Sequence, residues 1–361
     1  MASEYLEEFE KLNTTTDSIY DLEDCEVLII LSDGTNLTSW DDVEWNHRLG
    51  SKYNDDVLYV SEDLSGYEDL SERYKKLKSL KAIVASGVSD NVKNMEGMFS
   101  GCESLEDISS LCSWDVSGVT SMKYMFKFCE SLVDLGALKG WDVSEVNNME
   151  GMFQLCNNMA DLSALKVWNM SSVTNMETMF WGCSGLVDLS ALSDWDVSHV
   201  ENMCAMFFDC VNCADISGLA NWDVSSVSNI SGMFQGCYSL VDLSALKNWN
   251  VSGATDMSEM FFECYDLDDV SGLKDWDVSS VENMESMFKG CGSLADVSGL
   301  KDWDVSNVEN MGNEWYGMFQ NCHSLKYLSC LDNWDVSNVK HMKNIFEKCD
   351  SIKRYPKWYK E

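Results

Sequence analysis

One spacing constrains this chain more than any other feature. Trp114, Trp141, Trp168, Trp195, Trp222, Trp249, Trp276 and Trp303 recur every 27 residues, and Trp334 follows after 31. A cysteine series keeps the same step from Cys102 to Cys291, slips by the same four residues to Cys322, and returns to step at Cys349. The shared slip maps to an insertion at residues 312–316, between Met311 and Met318. Two independent series with one common slip define about ten copies of a single structural unit. A unit this short cannot bury its own apolar face, so the copies must stack into one continuous core.

The unit reads approximately C-x-S-L-x-D-L-S-x-L-x-x-W-D-V-S-x-V-x-N-M-x-x-M-F-x-G. Leu240, Leu243 and Leu246 show its first apolar run, short and bounded by turn formers, as expected of a strand; V-x-N-M is a second extended segment. M-x-x-M-F-x-x-C places apolar residues at i, i+3, i+4 and i+7, which predicts a short helix of about two turns. Each coil should then advance by about 4.8 Å, the spacing of hydrogen-bonded strands. The single proline, Pro356, fits a chain whose backbone N–H groups are committed to a ladder.

The motifs S-L-x-D-L-S, W-D-V-S-x-V-x-N-M and M-F-x-G-C resemble those of the BspA-like leucine-rich-repeat surface proteins, over about residues 80–355. The resemblance implies a leucine-rich-repeat-like solenoid with a role in protein binding or adhesion, often at a microbial surface, and no reaction.

Outside the repeat, residues 1–79 predict a small α/β N-terminal cap, with an acidic helix at 3–12, strands at 26–31 and 57–60, and a helix at 70–77. Residues 80–349 form the solenoid and 350–361 a basic C-terminal cap. The N-terminal segment lacks the basic start and apolar core of a secretory signal. The sequence as it stands therefore reads as cytoplasmic, with the cell surface as the alternative for a chain whose signal has been removed. No stretch approaches 18 consecutive apolar residues, so membrane insertion is not expected.

The net charge of −36 argues against nucleic acid as a partner. Charge is also segregated. Residues 82–339 hold 38 acidic and 10 basic residues, whereas residues 340–361 hold 7 basic and 3 acidic, and residues 73–81 hold five more basic ones. Two readings follow: basic ends that cap an acidic rod, or a self-assembling rod whose basic ends pair with an acidic flank.

Ten of the 15 cysteines sit on the repeat ladder, where free cysteine packs as a small hydrophobe. No Cys/His cluster with zinc spacing occurs. Two aspartate ladders, one from Asp107 to Asp296 and one following the tryptophans, suit either turn capping or metal binding. Asn169 and Asn250 substituting for Asp favour capping. The tryptophan ladder suits inter-coil stacking or a sugar platform. Phosphate loops, nucleophile elbows and dinucleotide fingerprints are missing, and no cofactor or catalytic residue is implied. Function is expected at positions that vary between coils. The residue after M-F should project outward, and it is aromatic at Trp181, Phe208 and Phe262; Phe128, Leu155, Tyr238 and Tyr265 lie close by in the same turns. Together these seven are the candidate surface for an unidentified protein partner.

Overall fold

The computed structural model describes residues 27–40 and 56–360, in two compact units, 1–169 and 170–361. The helix expected at 3–12 lies outside the described residues.

The first unit opens with a four-stranded sheet. β1 (Val27–Leu31) is wholly buried, and it pairs antiparallel with β2 (Asn36–Leu37) and with β3 (Val57–Asp63). β4 (Ala82–Ser86) lies parallel to β3, from Tyr59 opposite Ala82 to Asp63 opposite Ser86. Beyond β4 the parallel pairing shrinks to isolated bridges, as between Ala82 and Asp107 or Asn94 and Ser121, with one short parallel pair of residues 310–312 and 341–342 in the second unit. The sheet thus presents a long, regular edge on which the first short coil can pair.

No α-helix forms at M-x-x-M-F-x-x-C. The segment is a run of tight turns whose N–H groups alternate between two directions. Met95, Gly97, Phe99 and Gly101 donate to Ser121, Lys123, Met125 and Lys127 of the next coil, at 2.7 to 3.0 Å. Between them Met98, Ser100 and Cys102 donate locally, to Met95, Gly97 and Phe99. That alternation demands left-handed backbone at every second outward position: Gly97 has φ 60°, Tyr124 56° and Phe128 61°, and in the second unit Glu259 has 57° and Glu263 58°. Such a conformation costs a non-glycine residue about 1–2 kcal/mol, and an inter-coil hydrogen bond of roughly 1 kcal/mol offsets much of it. Residues 70–77 behave the same way. They form turns rather than the expected helix, with Leu70, Glu72, Tyr74 and Lys76 donating to the coil that begins at Asn94.

The helical turn of each coil lies elsewhere, in the segment expected to be a strand, where a short 3-10 helix follows the aspartate: Ser109–Ser113, Gly136–Gly140 and Ser163–Val167 in the first unit, and six more from Ser190–Leu192 to Ser329–Leu331 in the second. Asp107 Oδ1 accepts the N–H of Ser109, and Asp242 Oδ1 that of Ser244, fixing the start of each turn.

The core is a set of identical side chains stacked coil on coil. Phe99, Phe126 and Phe153 lie 5.3 and 5.7 Å apart in the first unit; Phe207, Phe234 and Phe261 repeat at 5.8 Å in the second. Trp222, Trp249 and Trp276 stack at 6.4 to 6.5 Å, and each indole N–H donates to a leucine carbonyl of the preceding coil, as Trp249 does to Leu219 at 2.9 Å. The tryptophans therefore join coils. The ladder cysteines do likewise: Cys129 Sγ donates to Phe99 O at 3.3 Å and Cys264 Sγ to Phe234 O at 3.2 Å, and burial pushes their thiols upward in pKa.

At the C-terminal end Trp358 supplies the last rung, stacked on Trp334 at 6.3 Å with its N–H on Leu331 O. Tyr359 meets Phe346 edge-on at 5.1 Å and closes the phenylalanine stack. Terminal basic residues are partly engaged within the chain. Arg354 and Lys357 both reach Asp332, and Arg73 pairs with buried Glu62. These intramolecular pairs consume part of the charge contrast that self-pairing would use. No helix among the described residues is long and apolar enough to cross a membrane.

Candidate functional site: the outward side of the turn ladder

The alternating turns point Met, Phe and Cys inward and set the intervening residues on an outer face, one row per coil. The row after M-F is not simply outward. Gln154, Lys289 and Gln320 are buried, and Trp181, Phe208 and Phe262 half-buried, because each side chain lies along the face against the next coil.

In the first unit Phe128 is 38% exposed and Leu155 is half-buried. Lys127 extends its ammonium over the rings of Tyr124 at 4.6 Å and Phe128 at 5.3 Å. In the second unit Trp181 and Phe208 meet at 5.0 Å, and Tyr238 and Tyr265, both exposed, at 4.8 Å. Phe262 takes another role: Lys289 Nζ sits 4.1 Å from its ring centroid and 4.0 Å from that of Tyr316. This ammonium is clamped between two aromatic faces, a favourable arrangement for a desolvated cation.

Sequence reasoning passed over Lys289, Tyr316 and the carboxylates beside them. Tyr316 belongs to the insertion, which folds back as a hairpin: Asn313 N–H donates to Tyr316 O at 2.7 Å, and Asn313 Oδ1 accepts from Trp315 and Tyr316 N–H. Trp315 at its tip is 76% exposed. The slip of four residues marked the insertion, but not that one of its rings would lie on a lysine of the preceding coil.

The carboxylates come in the next row along. Asp209, Gly236 and Glu263 occupy equivalent positions in successive coils, all with left-handed backbone. A Cβ at Gly236 would collide with Asp209 Oδ1, so glycine there lets the carboxylate lean across the coil. Burial, then the charge of Glu263, raises the Asp209 pKa; burial, then Glu285, raises that of Glu259. Tyr265 is pushed up to about 12 by burial and its hydrogen bond to Glu263.

The aspartates that follow the tryptophans belong to a different, structural set. Asp277 Oδ1 accepts from the N–H and hydroxyl of Ser279, and Asn250 serves Ser252 in the same way. Among the described residues no group of three or more His, Cys, Asp or Glu side chains is placed to hold a metal ion. A hollow of about 670 Å³ opens in the first unit beside Ile108, Cys112, Val133 and Ala137.

Solved structures with similar coils include a leucine-rich repeat protein from Eubacterium ventriosum (13% identity, 83% of this chain and 85% of that one, TM-score 0.40). A leucine-rich cell surface protein from Faecalibacterium prausnitzii aligns at 15% identity over 92% and 93% with a TM-score of 0.37. An internalin from Listeria monocytogenes aligns at 14% identity over 78% and 89% with a TM-score of 0.26. No curated protein matches the sequence. The family described as "Mycoplasma protein of unknown function, DUF285" matches three overlapping stretches, residues 68–183, 157–269 and 241–358. With its leucine-rich-repeat-type coils matched over most of its length, the chain belongs to that family.

Proposed function

We propose that this chain is a non-catalytic scaffold that binds another protein through the outward side of its turn ladder. The observation that carries the reading is the pairing of half-buried Trp181 with Phe208 and of exposed Tyr238 with Tyr265 in successive coils. Aromatic anchors in half-buried positions, bordered by polar groups, are the usual hot spots of protein interfaces. Phe262 extends this surface in the second unit, and Phe128 with Leu155 forms a corresponding patch in the first. The BspA-like motifs favour adhesion or host interaction at a cell surface as the setting.

Capture experiments with the intact chain test the reading. Trp181→Ala with Phe208→Ala, and Tyr238→Ser with Tyr265→Ser, should each release partners that the wild type retains, while Val167→Ser, at a 63% exposed position on another face, should not. Retention of every partner by both double variants, with melting temperatures near wild type, overturns it.

A further inference from the structure

Two observations on the outer face of the second unit bear on what the partner presents. The first is a charge imbalance. Asp209 leans over Gly236 and Glu263 follows two coils on; the charge of Lys289 acts on Glu263, whereas Asp209 has burial and Glu263 against its charged form. Asp209 is half-buried and feels the charge of Glu263. Like charges on one face are electrostatically unfavourable, and a further cation beside Asp209 relieves that. The second observation is the company the chain's own lysines keep. Lys289 seats its ammonium between Phe262 and Tyr316, and Lys127 lies over Tyr124 and Phe128. Both belong to the row after M-F. In the intervening coils of the second unit that row holds Trp181, Phe208 and Gln235, with no lysine to occupy the rings.

We propose, building on the binding role above, that the rings of Phe208, Tyr238 and Tyr265 with the carboxylates of Asp209 and Glu263 receive lysine side chains of a protein partner. The incoming ammonium takes the place on this surface that Lys289 takes within its own coil. Aromatic walls favour an organic cation over a hard metal ion, which requires several oxygen ligands. The net charge of −36 adds long-range attraction for a basic segment.

The probe is a short peptide alternating lysine with serine, titrated against the full chain at about 0.15 M salt, where screening confines charge effects to about 8 Å. Wild type should bind it and reject the same peptide with every lysine acetylated. Asp209→Asn with Glu263→Gln, and separately Tyr238→Ser with Tyr265→Ser, should each weaken binding about tenfold. Asp277→Asn with Asp304→Asn removes equal charge from the turn-capping ladder, where Asn250 already works, and should change affinity less than twofold. Equal loss in both acidic pairs, unchanged binding in the 209/263 pair, or no preference over the acetylated peptide overturns the proposal. So does concentration-dependent dimerisation abolished by Asp209→Asn with Glu263→Gln, which would make a second copy the occupant. A chain that still loses its captured partners on Trp181→Ala with Phe208→Ala, yet ignores the lysine peptide, refutes the lysine assignment alone.

Discussion

Replacing Trp249 by phenylalanine isolates what one indole contributes to a coil junction. Trp249 is 3% exposed, stacked between Trp222 and Trp276, and its N–H donates to Leu219 O at 2.9 Å. Phenylalanine keeps a ring in the stack but removes the indole bond, worth about 0.5–1.5 kcal/mol, while Leu219 O still accepts from the Trp222 backbone N–H at 3.1 Å. The smaller ring also leaves a void of roughly 40 Å³, worth about 1 kcal/mol at about 24 cal/mol per Å³. The expected loss is therefore about 1.5–2.5 kcal/mol, and it should act locally, because each coil touches only its neighbours. Urea unfolding followed by circular dichroism gives the total; amide exchange resolved along the chain should show protection falling first around Leu246 and Trp249. Trp315→Phe, at the exposed tip of the insertion, should stay within about 0.5 kcal/mol of wild type. If Trp249→Phe costs no more than Trp315→Phe, the indole bonds do not join the coils and this account of the stack is wrong.

The raised pKa of Asp209 and Glu259 means that the folded chain holds those protons more tightly than the unfolded one. Their contribution is most favourable below the unfolded value of about 4 and declines as pH rises through the folded value. Asp209→Asn or Glu259→Gln should accordingly raise the melting temperature at pH 7 and lose that advantage near pH 4; a constant difference across this range contradicts the sign. Alkylation of the native chain followed by peptide mass spectrometry should label exposed Cys112 well before the buried thiols of Cys264 and Cys291, and equal rates would show that the cysteine ladder is open to solvent. Trp358→Ala removes the last rung and its bond to Leu331 O, so it should destabilise the terminal coil by about 2–4 kcal/mol. Limited proteolysis should then cut within residues 329–355, and an unaltered digest would mean that Trp358 is dispensable.

The stacking was legible because an inward position recurs wherever a coil recurs. Trp249 and Cys264 could be assigned to the core from spacing alone, and Asn250 in an aspartate position pointed to turn capping before Ser252 was seen to donate to it. The helix expected at M-x-x-M-F-x-x-C was misplaced for a definite reason. Turns that alternate right- and left-handed backbone present residues i, i+3, i+4 and i+7 to one side just as a helix does. A contrary signal was available: Gly97, Gly101, Gly232 and Gly236 fall inside that supposed helix at the positions that adopt positive φ. The site was only partly legible. Trp181, Phe208, Tyr238 and Tyr265 stood out as aromatic variants of ladder positions, whereas the lean of Asp209 depends on Gly236 in the next coil. The Lys289 clamp depends on the path of the hairpin at residues 312–316, which no periodicity specifies.

The alternating turn bonds carry a genetic consequence. Each coil offers its successor the same row of donors and receives the same row of acceptors, so the junction is indifferent to which copy stands on either side. An in-frame duplication, deletion or exchange of one block of 27 codons can therefore leave both new junctions bonded, while moving Trp181, Asp209 or Tyr238 to a different rung. In a chain built this way, recombination between its own repeats can redraw the outer surface in a single event, without a point mutation in the core.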